Sequence, residues 1–389
     1  MVRALTALAI LLGLAALSAC GDGPGESRIR GDTLTIYSSL PAHGVSAPTA
    51  REVAAGERWA LAEAGGRAAR RRVRLVRLDS TRPGGRIWEP ALVSANVKRA
   101  ADDPTAIAYL GELDYGASAV SVPITNEKDI LQVSPGDGLA SLTTVPPGRP
   151  QAGPARYYPT DRRTFVRLTP SDLRMAEALL ARVRASGARR VAIVFDGQIY
   201  GRELTAELAA RARRDGPEPV AAEELHGDPA GMPDLVKDLA GERPDAIVHA
   251  GVTGPLTVPL LGALSRGLPR VPFFATSGII ARTGPLPRAP ARVEALSTVP
   301  PAAEVGPRQQ RVLRRIAGHA GLGRISAEAL HGYEAMRLVL HAVDRAGPSR
   351  RGVVRVAVRR RDRSSLVRND RFYLYRLSRG RFIFERELR

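Results

Sequence analysis

Residues 105–136 read TAIAYLGELDYGASAVSVPITNEKDILQVSPG. Ala106 to Leu110 is a short apolar run, the right length for a buried strand and too short for a helix. Gly116 to Asn126 reads as a helix, with Pro123 demanding an early end or a kink because proline has no amide hydrogen for the ladder. Ile130 to Val133 is a second apolar run. Strand, helix and strand in succession form a β-α-β unit, whose crossover places the two strands in parallel.

The same rhythm extends in both directions. Upstream, Thr33 to Tyr37 (TLTIY) alternates and is β-branched, which predicts a strand. Thr49 to Ala64 spaces Val53, Ala54, Trp59, Ala60, Leu61 and Ala64 as a helix does, and Gly65-Gly66 ends it. Val73 to Leu78 predicts another strand. Ile87 to Ala101 predicts a helix that tolerates Pro90 only near its start. A Pro/Gly-rich break, Pro146 to Pro159, follows the quoted stretch. Helices are then expected over Ser171–Ser186, with Ser171 as its cap, and over Arg202–Arg214, Asp234–Ala240 and Leu256–Arg266. Strands are expected over Val191–Phe195, Ala246–Ala250 and Val271–Ala275. Ile325 to Arg345 reads as one long helix, and Phe372–Leu377 with Arg381–Glu385 as a hairpin around Ser378-Arg379-Gly380. Two blocks of alternating strands and helices predict an α/β protein of two Rossmann-like lobes with mainly parallel sheets.

At 389 residues and 44% hydrophobic, the chain is long enough for two such domains. Its single cysteine, Cys20, excludes an internal disulfide and any CxxC pair. Arg3 precedes a charge-free run from Ala4 to Leu17, which small residues close. That is the make-up of an export signal over residues 1–19, and the run is shorter than the ~20 residues of a membrane span. Leu17-Ser18-Ala19-Cys20 resembles the lipobox of bacterial lipoproteins, which implies cleavage before Cys20 and lipid attachment to its sulfur. Residues 20–31 then form a polar, glycine-rich tether.

The net charge is +19, yet only Lys98, Lys128 and Lys237 among the 58 basic residues are lysine. With abundant Ala, Gly and Pro, that skew fits a solvated arginine coat better than a nucleic-acid surface. From Arg350 to Arg389 there are 14 arginines against 4 acids. Contact of this tail with anionic lipid is the sharper alternative. No nucleic-acid partner is expected.

An enzyme finds little support. No GxSxG elbow, HExxH, Walker loop or GxGxxG after a strand is present. His249 sits in an apolar strand as a core residue, and His331 and His341 lie too far apart on one helix to share a metal. No cofactor, metal or catalytic residue is expected. A binding protein needs none of these: ligands of open α/β sheets sit beyond the carboxyl ends of the strands, and two lobes facing each other make a cleft.

The quoted stretch, with VAIVFDGQIYGREL (191–204) and HGYEAMRLVLHAVDRAG (331–347), resembles the solute-binding lipoproteins of branched-chain amino acid ABC transporters. These are type I periplasmic binding proteins of the Leu/Ile/Val-binding kind. The resemblance implies two lobes, residues 32–165 plus 297–365 and 166–296 plus 366–389. The chain would cross a hinge near Phe165, Ser297 and Ser365. It also implies a small solute in the cleft, delivered to a membrane permease from the outer face of the cytoplasmic membrane, where Cys20 holds the protein to the bilayer.

Site positions carry over one at a time. The serine that meets a ligand carboxylate after the strand ending at Leu110 corresponds to Tyr115, preceded by Asp114. The S-P-A-x-T pattern after Val133 becomes Ser134-Pro135-Gly136-Asp137-Gly138, so Gly138 replaces a threonine. Tyr200 keeps the tyrosine of QxYG as a lid. The acid for a ligand ammonium falls at Ser277, leaving Asp114, Asp137 or Glu112 to replace it, each of them equally a capping or turn residue. Ser38 and Ser39 after the first strand, and Val252 after the strand ending at Ala250, complete the expected ligand set. A family hairpin is shortened around Leu366 to Arg371. A lipoprotein that senses or scaffolds without transport is the alternative function, and an envelope hydrolase is a third.

Overall fold

In the computed structural model, residues 28–146, 149–252, 254–280, 286, 288–359 and 365–388 are described. Cys20, the export segment expected before it and the tether expected after it lie outside these residues, apart from residues 28–31.

The apolar runs become the inner strands of two sheets. The first sheet has the order β2-β3-β1-β4-β5-β6. Its strands are β1 (Thr33–Leu40), β2 (Arg67–Ala68), β3 (Arg71–Asp79), β4 (Ala106–Leu110), β5 (Leu131–Ser134) and β6 (Phe165–Arg167). All pair in parallel except β2. The period-2 alternation of β1 sorts its side chains: Leu34 and Ile36 enter one core, Tyr37 the other. The first core is covered by α1 (Ala47–Glu63), α8 (Pro307–Ala320), α9 (Ala329–Ala346) and α10 (Arg350–Arg359). The second lies under α2 (Pro90–Asp102) and α3 (Ser118–Glu127).

The second sheet has the order β13-β12-β11-β10-β9-β7-β8. Five strands run parallel: β7 (Arg190–Phe195), β8 (Glu218–Glu224), β9 (Ala246–Ala250), β10 (Phe273–Thr276) and β11 (Val293–Ser297). The hairpin β12 (Phe372–Ser378) and β13 (Arg381–Leu388) adds two antiparallel strands. Its turn has positive φ at Arg379 (48°) and Gly380 (77°), the backbone hand that matches strand twist. Helices α4 (Asp172–Ala185) and α5 (Ile199–Asp215) cover one face. Helices α6 (Met232–Gly241) and α7 (Thr257–Gly267) cover the other.

The chain passes between the two sheets three times: between Arg167 and Asp172, between Ser297 and Pro307, and between Arg359 and Phe372. The α/β fold of two mainly parallel sheets is the one the sequence predicts. Several details differ. Helix α2 begins at Pro90 rather than Ile87, because proline suits the first helical position. Helix α9 begins at Ala329 rather than Ile325; the Ser326 amide and hydroxyl are bound instead to the Glu52 carboxylate. Ser171 occupies the cap position of α4 but makes no side-chain cap bond. Strands β2, β6, β8 and β11 and helices α8 and α10 were not anticipated. In β11 the charged Glu294 disguises a buried strand. It is 1% exposed, and Arg182 and Arg292 bind its two oxygens.

Candidate functional site

In the first sheet β1 lies between β3 and β4, so successive connections leave it on opposite sides. In the second sheet β7 lies between β8 and β9 in the same way. Such reversals open a crevice beyond the carboxyl ends of the strands. The two crevices meet. Loops after β1, β4 and β5 and loops after β7, β9 and β10 line one cavity of about 750 Å³, which continues to the N-terminal end of α9.

The loop after β4 carries Asp114 and Tyr115 into this cavity. Asp137 fixes the loop from behind: its carboxylate accepts from the amides of Gly116 (3.1 Å), Ser118 (2.9 Å) and Leu139 (3.0 Å). Ser46, just before α1, donates its hydroxyl to Asp114 Oδ1 at 2.5 Å instead of capping its own helix. Burial raises the Asp114 carboxyl to about 6; the Ser46 bond opposes that rise and the nearby Asp137 charge adds to it.

Tyr115 stacks on Tyr200 of α5, with ring centroids 4.0 Å apart and planes 13° from parallel. One ring comes from each lobe, so the pair bridges the cleft. Gly138 makes room for it. A Cβ there would lie 2.8 Å from Tyr115 Cε1 and 2.8 Å from Asp172 Oδ1. The tyrosine at 115 and the glycine at 138 are thus one steric unit. The Tyr200 hydroxyl is buried with no hydrogen-bond partner.

Of the residues expected at the ligand, Asp114, Tyr115, Gly136, Tyr200, Val252 and Ser277 line the cavity. Ser38, Ser39, Asp137 and Gly138 stand behind its wall. Ser38 donates to Glu57 (2.7 Å), and Ser39 to Glu112 (2.9 Å), which also accepts from the Tyr109 hydroxyl (2.7 Å). These serine hydroxyls donate to buried acids, Asp137 orients a loop, and Gly138 leaves space. Glu112, read as a substitute acid, is buried in that network at 1% exposure.

Sequence reasoning missed Ser46, Trp88, Glu328 and His331, all at the cavity. Nothing local marks them; the topology brings them together across nearly 300 positions. Burial raises the Glu328 carboxyl, opposed by a bond from Ser326 and reinforced by Glu52. His331, in the first turn of α9, is pulled down to about 4 by burial and is neutral at physiological pH. Beside the cavity, His43 Nδ1 lies 3.1 Å from Asp79, and Thr81 reaches the same ring nitrogen. Thr81 gives its proton to Asp79, so the three do not form a nucleophile relay. Among the described residues no group of His, Cys, Asp or Glu is placed to hold a metal ion, and no helix is long and apolar enough to cross a membrane.

A family model described as periplasmic binding protein matches residues 34–364. No curated protein matches the chain. Similar solved structures include an ABC transporter substrate-binding protein of Desulfitobacterium hafniense in complex with Leu. It is 18% identical, with 91% of this chain and 100% of that one covered and a TM-score of 0.71. The leucine-binding protein LivK of Thermotoga maritima is 20% identical, with 91% and 98% covered and a TM-score of 0.67. An ABC transporter solute-binding protein of Rhodopseudomonas palustris HaA2 in complex with p-hydroxybenzoic acid is 15% identical, with 92% and 96% covered and a TM-score of 0.71.

Proposed function

The chain belongs to the periplasmic binding protein family, and from that premise we propose that it is the solute-binding component of an ABC transporter. It captures a small polar solute by closing its two lobes and presents it to a membrane permease. The observation that carries this reading is the shared cavity. About 750 Å³ lies where both sheets reverse their strand order, with walls from both lobes and from two of the three chain crossings, at Thr169 and at Thr298 to Ala302. That volume suits a solute the size of an amino acid, an amide or an aromatic acid. The structural neighbours carry leucine and p-hydroxybenzoic acid, which supports the size class.

Binding here is a matter of positioning. Lobe closure removes water from Asp114, Tyr115 and Tyr200 and strengthens each polar contact with what lies between them. The three connecting segments bend while each lobe keeps its core. Thermal unfolding of the full chain against a panel of amino acids, amides, amines and small organic acids tests the reading. A solute at about 100 times its Kd adds roughly 2.7 kcal/mol of stability. A panel that leaves the unfolding temperature unchanged throughout would favour the sensing or scaffolding role instead.

We place the protein outside the cytoplasmic membrane, held there through a lipid on Cys20. The apolar run before Leu17-Ser18-Ala19-Cys20 and the polar tether after it support this. Cell fractionation checks it: Cys20→Ser should move the protein from the membrane fraction to the soluble one.

A further inference from the structure

The cavity has a lopsided charge. Asp114 and Glu328 line it from the first lobe. The ionisable neighbours that act on Asp114 and Glu328 are themselves acids, Asp137 and Glu52; Ser46 donates its hydroxyl to Asp114, and the Ser326 hydroxyl beside Glu328 gives its proton to Glu52. His331 beside them is neutral. Among the described residues that line the cavity, Arg86 alone is an arginine or lysine, and its side chain is exposed. Of the hydroxyls that line the cavity, those of Ser46 and Ser326 donate to Asp114 and Glu52, and those of Thr276 and Ser297 to the carbonyls of Gly251 and Val299. An anionic solute would therefore meet two carboxylates, with the exposed Arg86 as the one opposite charge among the described lining residues. An ionised carboxylate closed off from water without an opposite charge is costly, and an ammonium group placed beside it offsets that cost. Next to Asp114 stands the Tyr115–Tyr200 stack, an apolar wall whose ring faces also attract cations.

We infer that the cleft selects a solute bearing a protonated amine and no carboxylate, with its cation against Asp114 and its apolar body along the Tyr115–Tyr200 wall. This rests on the solute-binding reading and narrows it. Glu328 gives the far end of the cavity a second acidic position, so diamines fit the same charge pattern. Phenolic Tyr200, with its unpartnered hydroxyl, is a neutral group available to a ligand donor or acceptor, beside Thr49, Thr169 and Ser277 in the lining.

Matched probes separate charge from shape. Benzylamine and benzoate share a ring; isoamylamine and leucine share a branched chain. Calorimetric titration of the full chain is expected to show benzylamine bound at least about tenfold more tightly than benzoate, and isoamylamine more tightly than leucine. Asp114→Asn should weaken both amines by about tenfold or more, and Glu328→Gln should weaken a diamine more than a monoamine. If Asp114→Asn does not fold, the unmodified protein still answers. Asp114 faces Ser46, just before α1, Asp137 and its own loop neighbours Glu112 and Tyr115, with no cation among them. Benzylamine affinity should fall by about tenfold between pH 7 and pH 5 as this carboxyl takes up its proton. Benzoate or leucine binding as tightly as its amine partner would overturn the inference and leave the solute-binding reading in place. So would an amine affinity indifferent to both Asp114→Asn and pH. Silence of the four probes, with other solutes bound, overturns the inference alone; silence of every solute overturns both.

Discussion

Gly138 and Tyr115 show how much a single missing side chain does. A Cβ at 138 would sit 2.8 Å from both the Tyr115 ring and the Asp172 carboxylate, closer than real Cβ contacts come. Gly138→Ala should therefore destabilise the protein by about 1–3 kcal/mol, read from urea unfolding. Combined with Tyr115→Ser, which empties the contested space, it should cost less than the two single changes added together, because the strain is shared. Purely additive costs would mean that the two residues do not compete for room. The sequence did identify both positions as departures from the family pattern. It did not reveal that one departure makes room for the other, since 23 residues of chain separate them. Nor did it distinguish serines that face a ligand from Ser38 and Ser39, whose hydroxyls are turned to buried acids.

Among elements, the crossing of α1 and α9 matters most to the site, because the ends of both helices reach the cavity. Gly56 and Gly332 set it. A Cβ on Gly56 would lie 2.0 Å from the Ala329 carbonyl oxygen, and one on Gly332 would lie 1.9 Å from that of Val53. Each glycine lets the partner backbone in. Gly56→Ala should cost about 2–3 kcal/mol despite alanine's better helix propensity. Gly318→Ala in α8, where a Cβ meets nothing within 4 Å, should stabilise by about 0.5–1 kcal/mol. Equal responses in differential scanning calorimetry would refute the close-contact account. The elements that the sequence announced are those with a clear pattern, such as the alternation of β1, the helical spacing of α1 and the short apolar run of β9. Strand β11 was hidden because its Glu294 becomes acceptable only beside Arg182, 112 positions away, and Arg292. Arginine-rich α8 and α10 carry narrow apolar faces that dense charge obscures.

At the scale of the molecule, the lobes touch at more than the tyrosine pair. Arg149 belongs to the segment between β5 and β6, whose Tyr157 and Tyr158 pack with Leu139 in the first lobe. Its guanidinium reaches Glu203 (2.9 Å) and Glu207 (2.8 Å) on α5 of the second. Arg149→Ala should favour the open arrangement by about 1–2 kcal/mol, the range between exposed and buried pairs. Small-angle scattering would register this as a larger radius of gyration; an unchanged profile would show that the ion pair does not hold the lobes. Stability should also depend on pH with a definite sign. Burial, the largest cause in each case, raises Glu57 to about 7 and Glu112 and Asp172 to about 8. The native state keeps protons that the unfolded chain releases near 4, so stability falls as pH rises through this window. Burial pulls His249 and His331 down to about 4, so their contribution is complete above about 6.5 and lost as pH falls. Above pH 6.5 only the carboxyls act, and urea midpoints should decline from about pH 6.5 to about pH 8.5. A rising midpoint over that range would contradict the protonated buried carboxyls.

What the sequence determined on its own is the alternation of strand and helix in two blocks, and with it the pair of parallel sheets; the family entered through the resemblance of three particular stretches. Those features are local: periods of two and 3.6 residues and the turn residues between them suffice. What only the tertiary structure decided is which polar groups face the cavity. Asp114, Glu328 and Tyr200 come from three distant segments, and the same kinds of residue elsewhere are absorbed by buried networks. Burial and partnership are properties of the assembled chain, because each depends on what the remaining sequence places alongside.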